Sequence, residues 1–178
     1  AINVAAESHV DRSFKNSLLF TKSNTLGAHT FVQTCIENRV KKIVQISTDE
    51  VYGQTLKGQK SEESLINPTN PYSASKAAAE IIINSYKFYN SEKILTVRGN
   101  NIYGIRQFPE KLIPSCIVNL IKKKKILFNG DGKHERCYLS AIDFAKGIIL
   151  LLKKNKTGIY NIGNDHEIEI RELAISKL

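Results

Sequence analysis

The sequence has no methionine, no tryptophan, only three cysteines and only four prolines among its 178 residues. Cys35, Cys116 and Cys137 show no paired spacing, so we expect neither a disulfide framework nor a cysteine zinc site. The four histidines are scattered too, and no metal site is expected. This cysteine usage favours a reducing cytoplasm. Because the chain starts at Ala1 and lacks methionine, we expect it to be a fragment of a longer reading frame.

Long apolar runs and glycine-rich turns are missing as well. The longest apolar stretch, residues 145–152, is interrupted by a lysine and a glycine and is far shorter than the ~20 residues that cross a bilayer. No signal peptide is visible, so we expect no membrane partner. The GxG at residues 130–132 lies in a polar loop and favours a turn over a phosphate cradle. The glycine-rich turn that opens a dinucleotide-binding domain is therefore absent from this sequence.

The charge balance is basic, with a net charge of +9. Its densest run, Lys122 to Lys125, closes an apolar segment with helical spacing, where lysines suit the negative end of the helix dipole. No aromatic residues interleave with these lysines, as they would in a groove that binds single-stranded nucleic acid. We therefore predict a solvated helix end and no nucleic-acid partner.

Strand-like and helix-like segments alternate along the chain. Strands are predicted near residues 1–6, 42–47, 93–98, 126–128 and 159–162, and helices over residues 16–38, 72–90, a segment ending at 125, 141–153 and 168–178. This alternation predicts an α/β fold with a parallel sheet and helical crossovers. In such sheets ligands bind beyond the carboxyl ends of the strands. Thr48 and the loop after Arg98 follow two of these ends.

Reactive side chains gather in two neighbouring segments, residues 47–53 (STDEVYG) and 71–76 (PYSASK). Tyr72 and Lys76 are four residues apart in an alanine-rich run, so a helix places both on one face. We expect the lysine cation to lower the pKa of Tyr72 towards neutrality, as a general base requires. A Thr-Asp-Glu segment after a strand is often only a turn or cap, but beside this tyrosine and lysine it favours catalysis.

Six segments together resemble the nucleotide-sugar 4,6-dehydratases of the extended short-chain dehydrogenase/reductase superfamily. They are residues 5–11 (AAESHVD), 47–53, the Tyr72/Lys76 pair, and residues 100–104 (NNIYG), 109–114 (PEKLIP) and 160–163 (YNIG). The resemblance implies a Rossmann-like, doubly wound parallel sheet, here partial, with part of a smaller substrate-binding domain. Residues 1–98 are expected to be the later part of the NAD-binding domain with the catalytic residues, and 99–178 to mix Rossmann and substrate-binding segments.

The resemblance also assigns catalytic roles. Tyr72 is the expected base for the hydroxyl on carbon 4 of a glucose nucleotide, with Lys76 as its partner and a ligand of the cofactor ribose. Thr48 is expected to hydrogen-bond the same sugar oxygen. Glu50 is the expected base at carbon 5, and Asp49 the acid for the hydroxyl that leaves carbon 6. Two adjacent carboxylates can divide these roles if charge or burial separates their proton affinities.

Binding roles follow from the same resemblance. The expected NAD contacts are Ala5, Ala6, Glu7, Ser8, Ser23, Tyr72 and Lys76. The expected contacts to the nucleotide-diphosphate sugar are Asn101, Lys111, Leu112, Arg136 and Asn161. An arginine suits a diphosphate because its planar fork donates two parallel hydrogen bonds. Ser23 is equally compatible with a solvated helix position, and Asn161 with a turn.

The sequence leaves three functions open. The first is a 4,6-dehydratase (a lyase) of deoxysugar biosynthesis of the rhamnose type, acting on dTDP-glucose or UDP-glucose and dimeric when complete. The second is a nucleotide-sugar epimerase or decarboxylase of the same superfamily, which would lack the acid and base at positions 49 and 50. The third is a truncated, inactive relative that serves as a binding module.

Overall fold

The computed structural model describes residues 1–55, 58–87, 94–126 and 130–176. These residues form two compact units. The first consists of Ala1–Gly99 and Ile148–Ile162, and the second of Asn100–Gly147 and Gly163–Leu178.

The described strands are β1 (Ile2–Asn3), β2 (Ile43–Thr48), β3 (Ile94–Gly99), β4 (Asn101–Tyr103), β5 (Glu135–Ser140), β6 (Gly158–Ile162) and β7 (Glu167–Glu169). The α-helices are α1 (Val10–Lys15), α2 (Ser17–Phe20), α3 (Gly27–Glu37), α4 (Pro71–Ser85), α5 (Leu112–Ile121), α6 (Ala141–Lys153) and α7 (Ile170–Ser176). A π-helical segment (Thr21–Leu26) joins α2 to α3, and a 3₁₀ turn (Asp49–Tyr52) follows β2.

The first unit is built on a four-stranded sheet in the order β1-β2-β3-β6, and all neighbouring strands are parallel. The predicted α/β class with a parallel sheet is thus confirmed. The register pairs Ser47 with Arg98 and Thr48 with Gly99, so β2 and β3 end side by side. The carboxyl ends of these strands carry the reactive segments that the sequence singled out.

A compact apolar core fixes the position of α4 on this sheet. Val32 of α3, Ile43 of β2, Ile83 of α4 and Ile94 of β3 are all fully buried in one cluster. Burying such side chains contributes roughly 1.5–3 kcal/mol each relative to leaving them in water. Because α4 carries both Tyr72 and Lys76, this core also sets the distance between those residues and the end of β2.

The helical stretch from residue 17 to residue 37 contains an irregularity that the sequence did not predict. In the π-helical segment the amide of Gly27 donates to the carbonyl of Lys22, five residues earlier. Asn24 lies in this segment and is only 3% exposed. Single π-helical turns inside α-helices occur often at functional sites.

The second unit contains a small sheet in which β5 pairs in parallel with β4 and antiparallel with β7. None of these three strands was predicted. The prediction of one helix over residues 168–178 was partly wrong, because residues 167–169 pair with β5 as a strand before α7 begins at Ile170. These short strands depend on pairing with distant segments, which hydrophobic periodicity does not reveal.

Some predictions fall partly or wholly outside the described residues. These include most of the strand at 126–128, the end of the helix at 90, the start of the strand at 93 and the last two residues of the chain. Among the described residues, no helix is both long enough and apolar enough to span a membrane.

Candidate active site

The turn after β2 holds Thr48, Asp49 and Glu50 in a fixed arrangement. The Thr48 hydroxyl caps the 3₁₀ turn by accepting a hydrogen bond from the amide of Glu50 at 3.2 Å. The same hydroxyl lies 3.2 Å from Oδ1 of Asp49, to which it donates. Thr48 is buried, whereas both carboxylates are partly exposed. The two acids therefore face accessible space while their backbone is fixed by a side chain beneath them.

Gly53 ends this turn in a conformation that only glycine adopts readily. Its φ angle is +74°, and a Cβ atom there would lie 2.0 Å from the carbonyl oxygen of Asn67. The amide of Asn67 in turn donates to the carbonyl of Val51 at 2.9 Å. The turn and the polar segment after it are thus packed backbone against backbone, which requires glycine at position 53.

Helix α4 begins at a strong start signal. Oδ1 of Asn70 accepts from the amide of Ser73 at 2.9 Å, Ser73 Oγ caps the amide of Asn70 in return, and Pro71 occupies the first helical turn. Nδ2 of Asn70 donates to Oε2 of Glu50 at 3.2 Å. The residue that starts the helix therefore also touches the turn that carries the two acids.

Tyr72 and Lys76 lie on one face of α4, as their spacing predicted, and the structure shows that this face is buried. Tyr72 is 9% exposed and Lys76 is 5% exposed. Nζ of Lys76 donates to the carbonyl oxygen of Ile46 in β2 at 2.7 Å. An ammonium group has three hydrogens to donate, and this bond uses one of them.

The pKa of Tyr72 moves in the direction opposite to the prediction. Burial raises the pKa of Tyr72 above its ordinary value, the charges of Glu50 and Asp49 raise it further, and a hydrogen bond with Thr48 lowers it. The expectation of a lowered value was wrong because spacing on a helix says nothing about burial or about the two carboxylates across the site. These same effects show that Thr48, Asp49, Glu50 and Tyr72 lie close enough to influence one another.

Lys76 is a buried lysine whose ammonium group has a lowered pKa. Burial lowers the pKa of Lys76 to about 8, although the charge of Glu80 acts in the opposite direction. Its ammonium form is therefore sensitive to small electrostatic changes around the site.

A buried ion pair lies one helical turn beyond Lys76. Arg98 of β3 donates to both carboxylate oxygens of Glu80, with a shortest distance of 2.6 Å, and the two residues are 2% and 0% exposed. Arg98 also donates to the hydroxyl of Tyr52 at 2.6 Å, and that hydroxyl donates to Oδ1 of Asn161 at 2.8 Å. This network joins α4, β3, β6 and the turn that carries the acids.

The predicted cofactor segment follows β1 in the same unit. Ala5, Ala6 and Ser8 are exposed and Glu7 is partly exposed. Asn24 holds this segment, because its carboxamide accepts from the amide of Glu7 at 2.8 Å and donates to the carbonyl of Glu7 at 2.9 Å. The same carboxamide donates to the hydroxyl of Ser75 on α4 at 2.9 Å. Ser23, the neighbour of Asn24, is partly exposed in the π-helical segment.

The predicted sugar-nucleotide residues are divided between the two units. Asn161 lies in the first unit, where its side chain accepts from Tyr52 and donates to the carbonyl of Lys60 at 3.2 Å.

The other four residues lie in the second unit. Asn101 donates to the carbonyl of Cys137 at 3.2 Å, Lys111 and Leu112 stand at the start of α5, and Arg136 is exposed on β5. The structure thus brings Asn101 and Arg136 onto neighbouring strands of one small sheet.

Four residues at the site were not predicted: Asn24, Asn70, Glu80 and Arg98. The Asn70-Pro71 pair is a helix-start signal that the sequence shows plainly, and Glu80 follows Lys76 at helical spacing. For Asn24 and Arg98 no local signal exists, because their partners are 17 or more residues away.

Comparisons with known proteins identify relatives of this chain. Residues 1–177 match the family model described as GDP-mannose 4,6 dehydratase. The chain is 43% identical to the dTDP-D-glucose 4,6-dehydratase of Dictyostelium discoideum, over 97% of the chain and 43% of that protein. It is 41% identical to a trifunctional UDP-glucose 4,6-dehydratase, 3,5-epimerase and reductase of Arabidopsis thaliana, over 97% of the chain and 27% of that protein.

A solved structure supports the same relationship. The dTDP-glucose 4,6-dehydratase DesIV of Streptomyces venezuelae, crystallised with NAD and TYD, superimposes with a TM-score of 0.93 at 38% identity. The superposition covers 97% of the chain and 54% of DesIV, so the chain spans about half the length of this relative. On these matches, the chain belongs to the GDP-mannose 4,6-dehydratase family.

Proposed function

We propose that the whole protein, in which this chain is joined to the remaining segments that its relatives carry, is an NAD-dependent nucleotide-sugar 4,6-dehydratase. Its substrate is dTDP-glucose or UDP-glucose, and its product is the 4-keto-6-deoxy sugar nucleotide of a rhamnose-type pathway. The observation that carries this proposal is that hydrogen bonds hold both acids at the start of the helix that carries Tyr72 and Lys76: Thr48 donates to Asp49, and Asn70, the cap of that helix, donates to Glu50. An epimerase needs no such acid and base for elimination.

Tyr72 removes the proton from the hydroxyl on carbon 4 in this proposal. Its hydrogen bond with Thr48 lowers the pKa of Tyr72, against the effects of burial and of the two acids. In this proposal the Thr48 hydroxyl turns its single hydrogen from Asp49 to Tyr72 when the phenol ionises. Lys76 supplies a positive charge one helical turn away and two further N–H groups for a ribose hydroxyl. Bound NAD+ supplies the hydride acceptor at carbon 4 and the hydride donor at carbon 6.

Glu50 and Asp49 carry out the loss of water. Oxidation at carbon 4 makes the proton on carbon 5 acidic, and Glu50 accepts that proton. Asp49 donates a proton to the hydroxyl of carbon 6, which leaves as water. The Glu50 carboxyl exchanges its proton with solvent, and carbon 5 then regains a proton from Glu50 as hydride reaches carbon 6. The proton that Tyr72 took is released to solvent, from which Asp49 recovers the proton that it gave up. Partial exposure suits both acids, because the sugar has to reach each of them.

The residues of the first unit fit NAD as the cofactor. Ala5 and Ala6 are exposed residues that follow a strand of the parallel sheet, beyond the carboxyl end where such folds bind nucleotides. Ser47 Oγ is a buried atom that has no hydrogen-bond partner within the described part of the chain, and it lies on the strand that leads to Thr48. We propose that residues 5–8, Ser23, Tyr72 and Lys76 hold NAD.

The sugar nucleotide is assigned to five residues: Asn101, Lys111, Leu112, Arg136 and Asn161. Arg136 is exposed, and its guanidinium suits the diphosphate through paired hydrogen bonds.

We also propose that the whole protein forms a homodimer in the cytoplasm. Leu18, Leu26 and Ile81 are 80%, 55% and 63% exposed on the helices of the first unit, which suits a helical interface between two copies. The three cysteines are free thiols, which suits a reducing compartment.

Heavy water tests the proposal in the whole protein. With dTDP-glucose or UDP-glucose, deuterium should appear at carbon 5 of a 4-keto-6-deoxy product, seen by NMR and mass spectrometry. Glu50→Gln should abolish this incorporation, because an amide cannot accept the proton. Asp49→Asn should instead slow loss of the carbon 6 hydroxyl. Formation of the galactose isomer without deuterium at carbon 5 would replace the dehydratase by an epimerase.

A further inference from the structure

We infer that Asn70 is a positioning residue that holds the Glu50 carboxylate in the orientation needed to accept the carbon 5 proton. The inference rests on the proposed dehydratase function and assigns to it a residue outside the expected catalytic set. Asn70 also starts the helix that carries Tyr72.

Two hydrogen bonds fix the Asn70 side chain. Its Oδ1 accepts from the amide of Ser73 at 2.9 Å, and its Nδ2 donates to Oε2 of Glu50 at 3.2 Å. A carboxamide is planar, so the first bond sets the direction in which the second can be made. The bond engages one oxygen of Glu50 and leaves Oε1 as the oxygen that can receive a proton.

This arrangement relates the two proposed bases to each other. Tyr72 is two residues after Asn70, at the start of the same helix, and it senses the charge of Glu50. The two groups act at neighbouring positions of one sugar, the hydroxyl on carbon 4 and the proton on carbon 5, so their relative placement has to match the placement of these two protons. Errors of about 1 Å in such positioning lower rates by about 10²-fold. Asn70 bridges the helix of Tyr72 and the turn of Glu50.

Helix capping alone does not demand asparagine at this position. Aspartate, serine and threonine also cap helices well, but aspartate has no hydrogen to donate and the hydroxyls are shorter. An ionised aspartate would place a third negative charge beside Glu50, which already lies next to Asp49 and opposite Tyr72. Two substitutions can therefore separate capping from positioning.

The experiment compares Asn70→Asp and Asn70→Gly in the whole protein. Aspartate keeps the cap, and glycine weakens it only slightly, so both variants should fold, as thermal denaturation can check. We expect kcat for the proposed substrate to fall about 10-fold or more in both, with KM little changed. In Asn70→Asp the acidic limb of the pH profile of kcat should also move to higher pH. The new carboxylate at position 70 lies beside Glu50, and two neighbouring carboxylates resist being ionised together.

Isotope effects supply a readout that capping alone would not change. If Glu50 is misplaced, proton removal from carbon 5 becomes slower than oxidation at carbon 4. The rate should then become more sensitive to deuterium at carbon 5 and less sensitive to deuterium at carbon 4. Asn16→Asp is the matched control, because Asn16 caps the exposed start of α2 with its own Oδ1. It makes the same change of charge and should leave kcat and both isotope effects unaltered.

The possible results are distinct. Wild-type kcat in Asn70→Asp, or equal changes in the two isotope effects, would show that Asn70 is only a cap and would overturn the inference. A wild-type protein that forms no 4-keto-6-deoxy product would overturn the proposed function and this inference with it. A dehydratase whose Asn70 variants are slow specifically at carbon 5 would support both.

Discussion

Replacing Lys76 by methionine should stabilise the folded protein at neutral pH while abolishing turnover. Lys76 is 5% exposed, and burial lowers its pKa from the ordinary 10.5 to about 8. At 1.36 kcal/mol per pH unit, keeping this buried lysine charged costs about 3 kcal/mol of stability at neutral pH. Methionine has similar length and no charge, but it leaves the carbonyl of Ile46 without its donor, which costs about 1 kcal/mol. The net gain should be about 2 kcal/mol.

The pH dependence of this gain is the more demanding test. The unfolded chain keeps the lysine proton up to about 10.5, whereas the folded chain releases it near 8. The unfolded state therefore binds more protons between these values, and the wild-type protein gains stability as pH rises through them. The advantage of Lys76→Met should shrink by up to 1.36 kcal/mol per pH unit over this range.

Urea denaturation of the whole protein at a series of pH values between about 7 and 10 measures this effect. Lys146→Met is the matched control, because the Lys146 side chain is 71% exposed and its ammonium pairs with Asp143 at the surface. The stability difference of this control should stay constant over the same range. A constant difference for Lys76→Met as well would refute the burial of a charged lysine beside the Tyr72 site.

Three further outcomes are expected. Tyr72→Phe in the whole protein should lower turnover by about 10²-fold or more, because the missing hydroxyl is the group that accepts the proton. Steady-state kinetics should show this loss, and calorimetry should show little change in sugar-nucleotide affinity. Near-normal turnover would contradict the role of Tyr72 as base. Glu80→Gln should cost about 3–5 kcal/mol in urea denaturation, since it leaves the buried Arg98 cation without a counter-charge. Glu80→Leu combined with Arg98→Met should recover most of that loss, because both buried charges are then absent. The 178-residue chain alone should show no NAD+ binding by calorimetry at about millimolar concentrations and no turnover, because its sequence lacks the glycine-rich turn.

Strong local signals predicted the elements that position the site. Helix α6 has the predicted bounds, residues 141–153. The signals that define it, the helical spacing of its apolar residues and the lysine in its last turn, all lie within the helix itself. Helix α4 begins one residue before the predicted start, at Pro71, directly after its asparagine cap. The placement of Tyr72 and Lys76 on one face follows from their spacing alone. Resemblance to a family added roles to these residues, which stay predictions.

Features that depend on distant residues could not be predicted in this way. The contact between Asn70 and Glu50 joins residues 20 apart, and Tyr52 reaches Asn161 across 109 residues. The direction of the pKa shift of Tyr72 depends on burial and on carboxylates brought close by the fold. The strands of the second unit were missed for the same reason, since each is defined by a partner elsewhere in the chain.

The π-helical segment imposes a constraint on the length of the chain as well as on its shape. An α-helix advances by 100° per residue, so removing one residue between Thr21 and Leu26 to give a regular helix would rotate α2 by about that angle relative to α3. Asn24 could then not remain buried while α2 and α3 both keep their present buried faces. Its hydrogen bonds to Glu7 and Ser75 would be lost. Homologous chains of this family should therefore tolerate substitutions in these six positions more readily than a deletion. An alignment that places a gap here marks a relative in which the segment equivalent to residues 5–8 is held by different contacts.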